Sequence, residues 1–149
     1  MNDIQRLPPQ ILNAIRELRG LDVYITGSVA LFIYGKLDRE ISDLDLIAVD
    51  KSVLPVLRNK FHQISDAQAA TEANRYTHKH EVCIDLFLVK EEPRHVYHYF
   101  EGICLKMVHP ADVFLDKLKI LQRTNTTPEM AAKCLSDIEN YFHLTYSSK

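Results

Sequence analysis

The chain has 149 residues and a mass of 17.2 kDa, with 46% hydrophobic and 26% charged residues. At about 100–200 residues per domain this is one domain over residues 1–149, and its ordinary globular composition excludes a disordered, collagen-like or disulfide-built chain. Eighteen Lys and Arg against twenty Asp and Glu leave a formal net charge of -2, so no overall basic field favours non-specific nucleic-acid binding.

Pro8-Pro9 opens a first helix, with Ile11, Leu12, Ile15 and Leu18 at helical spacing and Gly20 as its stop. Residues 21–26 (LDVYIT) read as a short buried strand, and 29–34 (VALFIY) as an apolar helix after the Gly27-Ser28 break. Residues 36–42 are a polar connection. Residues 43–49 (DLDLIAV) begin in alternation and become continuously apolar, as in a central strand whose start reaches past the sheet. A helix capped by Asp50 or Ser52 runs to Lys60, and 61–65 read as another strand. The polar, Ala-rich stretch 66–74 carries no element. Residues 75–80 suit a strand or hairpin arm, 81–89 (EVCIDLFLV) a strong strand, 93–101 a short helix, and 103–108 a further strand. Pro110 opens a helix to Gln122, and Thr127 caps a last helix that starts at Pro128 and runs to Thr145. This order predicts an α+β (α/β) fold, a small mixed β-sheet flanked by helices.

Cys83, Cys104 and Cys134 are far apart and form no CxxC pair, so they read as buried hydrophobes in a reducing compartment. The start of the chain carries Asp3 and no apolar h-region, unlike a signal peptide, and no apolar run reaches the ~18 residues of a membrane span. The expectation is a soluble, cytoplasmic protein with no membrane partner.

Three carboxylates carry the chemistry. Asp43 and Asp45 are i and i+2 on a strand, so they point to one face while Leu44 enters the core. Two carboxylates there repel unless a cation lies between them. Asp85 stands inside the apolar strand, on the face of Cys83 and Phe87, where a charge is costly unless paired or metal-bound. If the two strands are neighbours, all three acids converge, and oxygen-only ligands with room for water suit Mg²⁺ or Mn²⁺. Gly27-Ser28 lies between a buried strand and a helix, where a glycine lets a phosphate approach the backbone and a helix start offers free N–H groups.

Each feature alone has an ordinary structural reading: a turn, a strand end, a locally satisfied acid. Their order and spacing together describe a metal–nucleotide site. His78, His80, His95 and His98 show HxH and HxxH spacing, but nothing completes a tetrahedral zinc set.

Gly27-Ser28, fourteen intervening residues, Asp43-Leu44-Asp45 and then Asp85 resemble the GS…DxD…D signature of minimal nucleotidyltransferases in the polymerase-beta-like superfamily. Arg39 before Ser42-Asp43-Leu44-Asp45 resembles the Arg-x-x-[Ser/Thr]-Asp-x-Asp segment of the small prokaryotic subgroup. His109-Pro110-Ala111-Asp112, Asp116-Lys117-Leu118, Arg123 and Asp137-Ile138 resemble the abortive-infection toxin (AbiEii-like) type.

The resemblance implies an enzyme that moves a nucleoside monophosphate from an NTP, with ATP expected, to an acceptor in RNA, protein or a small molecule. It further implies that Asp43, Asp45 and Asp85 are catalytic and hold Mg²⁺ or Mn²⁺, while Gly27, Ser28, Arg39, Lys117 and Asp137 hold the nucleotide. Lys117 also lies by helical spacing on or beside the apolar stripe of its helix, where it either snorkels or aims its ammonium at a triphosphate. Asp137 would anchor that lysine, or is a solvated helix acid. Arg39 reaches a phosphate, or pairs with Asp38 or Glu40. Tyr76 and Lys79 are acceptor-contact candidates. Two rival readings remain: a nucleotide-binding regulatory or toxin–antitoxin module without transfer, and a metal-dependent nuclease, which leaves Gly27-Ser28 without a role. An antitoxin-like protein or a second copy of the chain is the expected macromolecular partner.

Overall fold

The computed structural model describes residues 3–67 and 73–146. Its elements are α1 (Pro9–Arg16), β1 (Tyr24–Thr26), α2 (Gly27–Ile33), β2 (Asp43–Ala48), α3 (Val53–Lys60), β3 (His62–Ser65), β4 (Asn74–His78), β5 (Val82–Leu88), β6 (His95–Phe100), β7 (Ile103–Val108), α4 (Pro110–Leu121) and α5 (Pro128–Tyr146). The strands form one mixed sheet in the order β3-β4-β5-β2-β1-β7-β6. β1 runs antiparallel to β2 and parallel to β7, while β2 and β5 are parallel.

Alternation along the central strands sorts the two faces of the sheet. Leu44, Leu46, Ile84 and Leu86 are fully buried and pack with Ile11, Ile15, Leu31 and Ile33 of α1 and α2. The other face carries Asp43, Asp45 and Ile47 in direct register with Cys83, Asp85 and Phe87. α4 packs on α2 and α5 and contributes the buried Val113 and Lys117.

Three of the expected turns and caps have identifiable causes. The Met130 N–H donates to Thr127 Oγ1 at 3.2 Å, so Thr127 caps α5 and Pro128 takes its first turn. At α3 it is Asp50 that accepts from the Ser52 N–H, at 2.9 Å, and the Ser52 side chain makes no capping bond. α2 begins at Gly27 itself, two residues earlier than the apolar run.

The helix expected over 93–101 is a strand, β6, paired antiparallel with β7. Its core sequence, His-Val-Tyr-His-Tyr-Phe, is β-branched and aromatic, which suits a pleated surface. Glu101 and Gly102 both have positive φ (50° and 76°) between the paired Phe100 and Ile103, the two-residue turn that closes a hairpin. The cysteines also depart in part from expectation: Cys134 is buried, Cys83 half-buried, and Cys104 exposed on β7. The stretch 66–74 lies partly outside the described residues, and its Asn74 opens β4. No helix among the described residues is long and apolar enough to cross a membrane.

Candidate active site

The parallel pairing of β2 with β5 sets Asp45 directly beside Asp85, with Asp43 one pleat away on the same face. Burial pushes the Asp45 carboxyl up to about 7, and the negative charges of Asp85 and Asp43 add to this against the opposing Lys117. Burial, then Asp85 and Asp43, also push the Cys83 thiol up to about 11. The acids therefore form a region of concentrated negative potential that favours a proton or a cation.

As placed, Asp85 is engaged by a neighbour. Arg75 of β4 lies opposite it in register and donates from Nε to Oδ1 at 2.8 Å. Among the described residues no three His, Cys, Asp or Glu side chains are gathered closely enough to hold a metal ion as they stand.

Gly27 has φ of +66°, a region in which side chains are strained. A Cβ there would overlap Asp45 Oδ2 and stand 3.0 Å from Asp45 Cβ and Cγ. The backbone after β1 thus lies directly against the second carboxylate, and only glycine permits that contact.

Ser28, the next residue, belongs to a buried network that joins four segments. Lys117 Nζ on α4 donates to Ser28 Oγ at 2.7 Å and to Asp137 Oδ2 on α5 at 2.8 Å. Arg39, in the connection before β2, donates from Nε to Asp137 Oδ1 at 2.7 Å and from Nη2 to Ser28 Oγ at 2.8 Å. The Asp137 side chain is 1% exposed. Burial alone would raise its pKa, but the bonds from Arg39 and Lys117 outweigh burial and hold it below the usual carboxylate range. Two cations against one anion leave the network with a surplus positive charge beside the bare Gly27 backbone.

Lys117, Gly27 and Asp45 all line one cavity of about 290 Å³, which lies between the open face of the sheet and α4 and is floored by Ile47 and Phe87.

All eight expected site residues thus fall on two touching clusters: Asp43, Asp45 and Asp85 on the sheet, and Gly27, Ser28, Arg39, Lys117 and Asp137 around the start of α2. Arg39 pairs with neither of the surface carboxylates considered for it; besides the network, among the described residues, it donates only to the Glu40 carbonyl. Tyr76 is corrected: it is fully buried on the core face of β4, opposite Ile84. Lys79 sits in the exposed β4–β5 turn and lines neither cavity beside the carboxylates. Arg75 escaped the sequence reading. Its only signal is its phase in β4, which becomes informative once the register against β5 is known.

No protein-family model matches the chain, and no curated protein matches it. Solved structures do. JHP933 from Helicobacter pylori matches with a TM-score of 0.59 at 19% identity, over 94% of this chain and 68% of that one. The lincomycin-bound lincosamide antibiotic adenylyltransferase LnuA matches with a TM-score of 0.61 at 11% identity, over 93% of this chain and 98% of that one. An antigenic nucleotidyltransferase-like protein from Paracoccidioides brasiliensis matches with a TM-score of 0.50 at 18% identity, over 91% and 72%. The mixed sheet with its helices has the nucleotidyltransferase-like fold.

Proposed function

We propose that this nucleotidyltransferase-like fold works as a metal-dependent nucleotidyltransferase. It would move a nucleoside monophosphate from an NTP, ATP first among them, to an acceptor hydroxyl. The observation that carries this reading is the shared cavity: bare backbone at Gly27, a carboxylate at Asp45 and an ammonium at Lys117 line the same space. A nuclease leaves the bare backbone at Gly27 without a role.

The donor set fits a hard divalent cation. It is oxygen-only, and Asp45 is pushed up to about 7 by burial and by Asp85 and Asp43, a strain that a cation relieves. Asp43 and Asp45 would hold Mg²⁺ or Mn²⁺, joined by Asp85 once it leaves Arg75. When bound, such ions stabilise the charge on the attacking and leaving oxygens of an in-line displacement.

The chain's own groups then divide the work. The backbone at Gly27 would donate to the β- and γ-phosphates, joined by Ser28 Oγ once its proton leaves Asp137. Lys117 and Arg39, held in place by Asp137, supply the positive counterweight. Asp85 accepts the proton of the acceptor hydroxyl. The hydroxyl oxygen bonds to the α-phosphorus, the bond from the α-phosphorus to the α–β bridging oxygen breaks, and pyrophosphate leaves.

The test is transfer of label from each α-labelled NTP with Mg²⁺ onto RNA, protein and small hydroxyl acceptors. Wild type should bind NTP and transfer label, and Asp85→Ala should bind NTP and transfer none. Full transfer by Asp85→Ala would remove Asp85 from its role. NTP binding without transfer to any acceptor would favour a regulatory module, and wild type that binds no NTP overturns the reading.

A further inference from the structure

A second cavity, of about 390 Å³, adjoins the same carboxylates. It lies over the β3-β4-β5 half of the open face, lined there by Ser65, Arg75, Asp85 and Phe87 and roofed by Ile120 and Arg123. Phe87, Ile120 and Arg123 line both cavities, so the two are compartments of one trough. Asp45 belongs to the first and Asp85 to the second, and these two residues are direct neighbours across β2 and β5. The junction of the compartments is therefore the place where the carboxylates meet.

From this arrangement, and resting on nucleotidyl transfer as the function, we infer that the second compartment is the acceptor site and that it takes a hydroxyl compound bearing a phosphate ester.

The charges in the compartment select that chemistry. Asp85 faces the reacting centre, and Asp66 is bonded by the Gln63 amide. Arg75 spends Nε, and Nη2 at 3.5 Å, on Asp85, and its Nη1 has no partner among the described residues on a side chain that is 52% exposed. Arg123 makes no ion pair with any described residue. Two guanidinium groups at one mouth, each with donors that no described residue engages, match the oxygens of a phosphate. Phe87, Ile120 and Met130 offer apolar surface to the carbon skeleton or base. Arg75 then serves twice: it holds Asp85 while the site is empty, and it binds the acceptor's phosphate when the hydroxyl is delivered to Asp85.

The experiment uses the full chain with Mg²⁺ and a saturating non-hydrolysable ATP analogue, so that the donor compartment is filled. Calorimetric titrations compare uridine 5′-monophosphate, uridine, and a short oligouridylate with a 3′-hydroxyl. The monophosphate should bind about 10- to 100-fold more tightly than uridine, the factor expected for hydrogen bonds to a charged group. Arg75→Gln and Arg123→Gln should each erase most of that ratio, while Arg16→Gln, on the remote Glu101 pair, should keep it. Arg75→Lys, which retains the charge, should recover part of it. Tighter binding of the oligouridylate than of the monophosphate points to a nucleic-acid strand end as the source of the phosphate; the reverse points to a small phosphate ester.

Equal binding of uridine and its monophosphate overturns the inference and leaves nucleotidyl transfer standing, provided the ATP analogue binds. A ratio unchanged in Arg75→Gln overturns it as well. Failure of the ATP analogue to bind overturns both.

Discussion

Replacing Gly27 with alanine tests the contact on which the donor site depends. Two penalties add. The first is backbone strain: a φ of +66° costs an L-residue about 1–2 kcal/mol. The second is steric, because the new Cβ overlaps Asp45 Oδ2 and lies 3.0 Å from Asp45 Cβ and Cγ. Turning the carboxylate aside relieves the oxygen but not the Cβ contact, so an overpacking cost of about 1–3 kcal/mol remains. Gly20 isolates the first penalty, since it has φ of +77° and nothing within 4 Å of its Cβ position. Urea unfolding of the metal-free protein should therefore show Gly20→Ala less stable than wild type by about 1–2 kcal/mol, and Gly27→Ala less stable by about 2–5 kcal/mol. In thermal scans the excess corresponds to about 2–12 °C for a domain of this size. The double variant Gly27→Ala/Asp45→Ala should recover part of the excess as a coupling of about 1 kcal/mol or more. NTP binding should fall in Gly27→Ala and hold in Gly20→Ala. Equal destabilisation at the two glycines, with no coupling to Asp45, would refute the packing argument.

Asp45 predicts an unusual pH dependence. A carboxyl raised from 3.8 to about 7 keeps its proton in the folded state after the unfolded chain has lost it, so stability falls as pH rises between those values. Metal-free Asp45→Asn should match wild type near pH 4 and gain on it up to pH 7, by at most about 4 kcal/mol; Mg²⁺ should narrow the gap, and a gap independent of pH refutes the assignment. Asp137→Ala strands Lys117 and Arg39 without their buried partner and should cost about 3–5 kcal/mol in chemical denaturation. Lys117→Met, which strands one acid still paired with Arg39, should cost less while weakening NTP binding, and the reverse order would contradict the network. Because Arg39 and Lys117 hold Asp137 below the usual carboxylate range, its share of stability should be intact above about pH 4 and fade as pH falls further.

Much of this site was legible in one dimension. Strand alternation placed Asp43 and Asp45 on one face and Asp85 with Cys83 and Phe87, and the register bears this out residue by residue. Helical spacing turned Lys117 inward, and its ammonium is indeed buried against Asp137. The failures have a common cause. Within residues 93–101 the strand-favouring Val96, Tyr97, Tyr99 and Phe100 form only a short run, and pairing with β7 through the Glu101-Gly102 turn fixes it as a strand. Tyr76 and Arg75 are neighbours in sequence on opposite faces of β4, and without the β4–β5 register the aromatic looked like the ligand contact.

By itself, then, the sequence determined which residue types carry the chemistry and which face of each element they occupy, because side-chain direction follows from helix and strand periodicity within a few residues. Only the tertiary structure decided which faces meet. Ser28 and Asp137 are 109 positions apart, Ser28 and Lys117 are 89, and Arg75 reaches Asp85 across a register. Such partners are chosen by strand order and helix packing across the whole core, where burying one continuous apolar face outweighs any local preference.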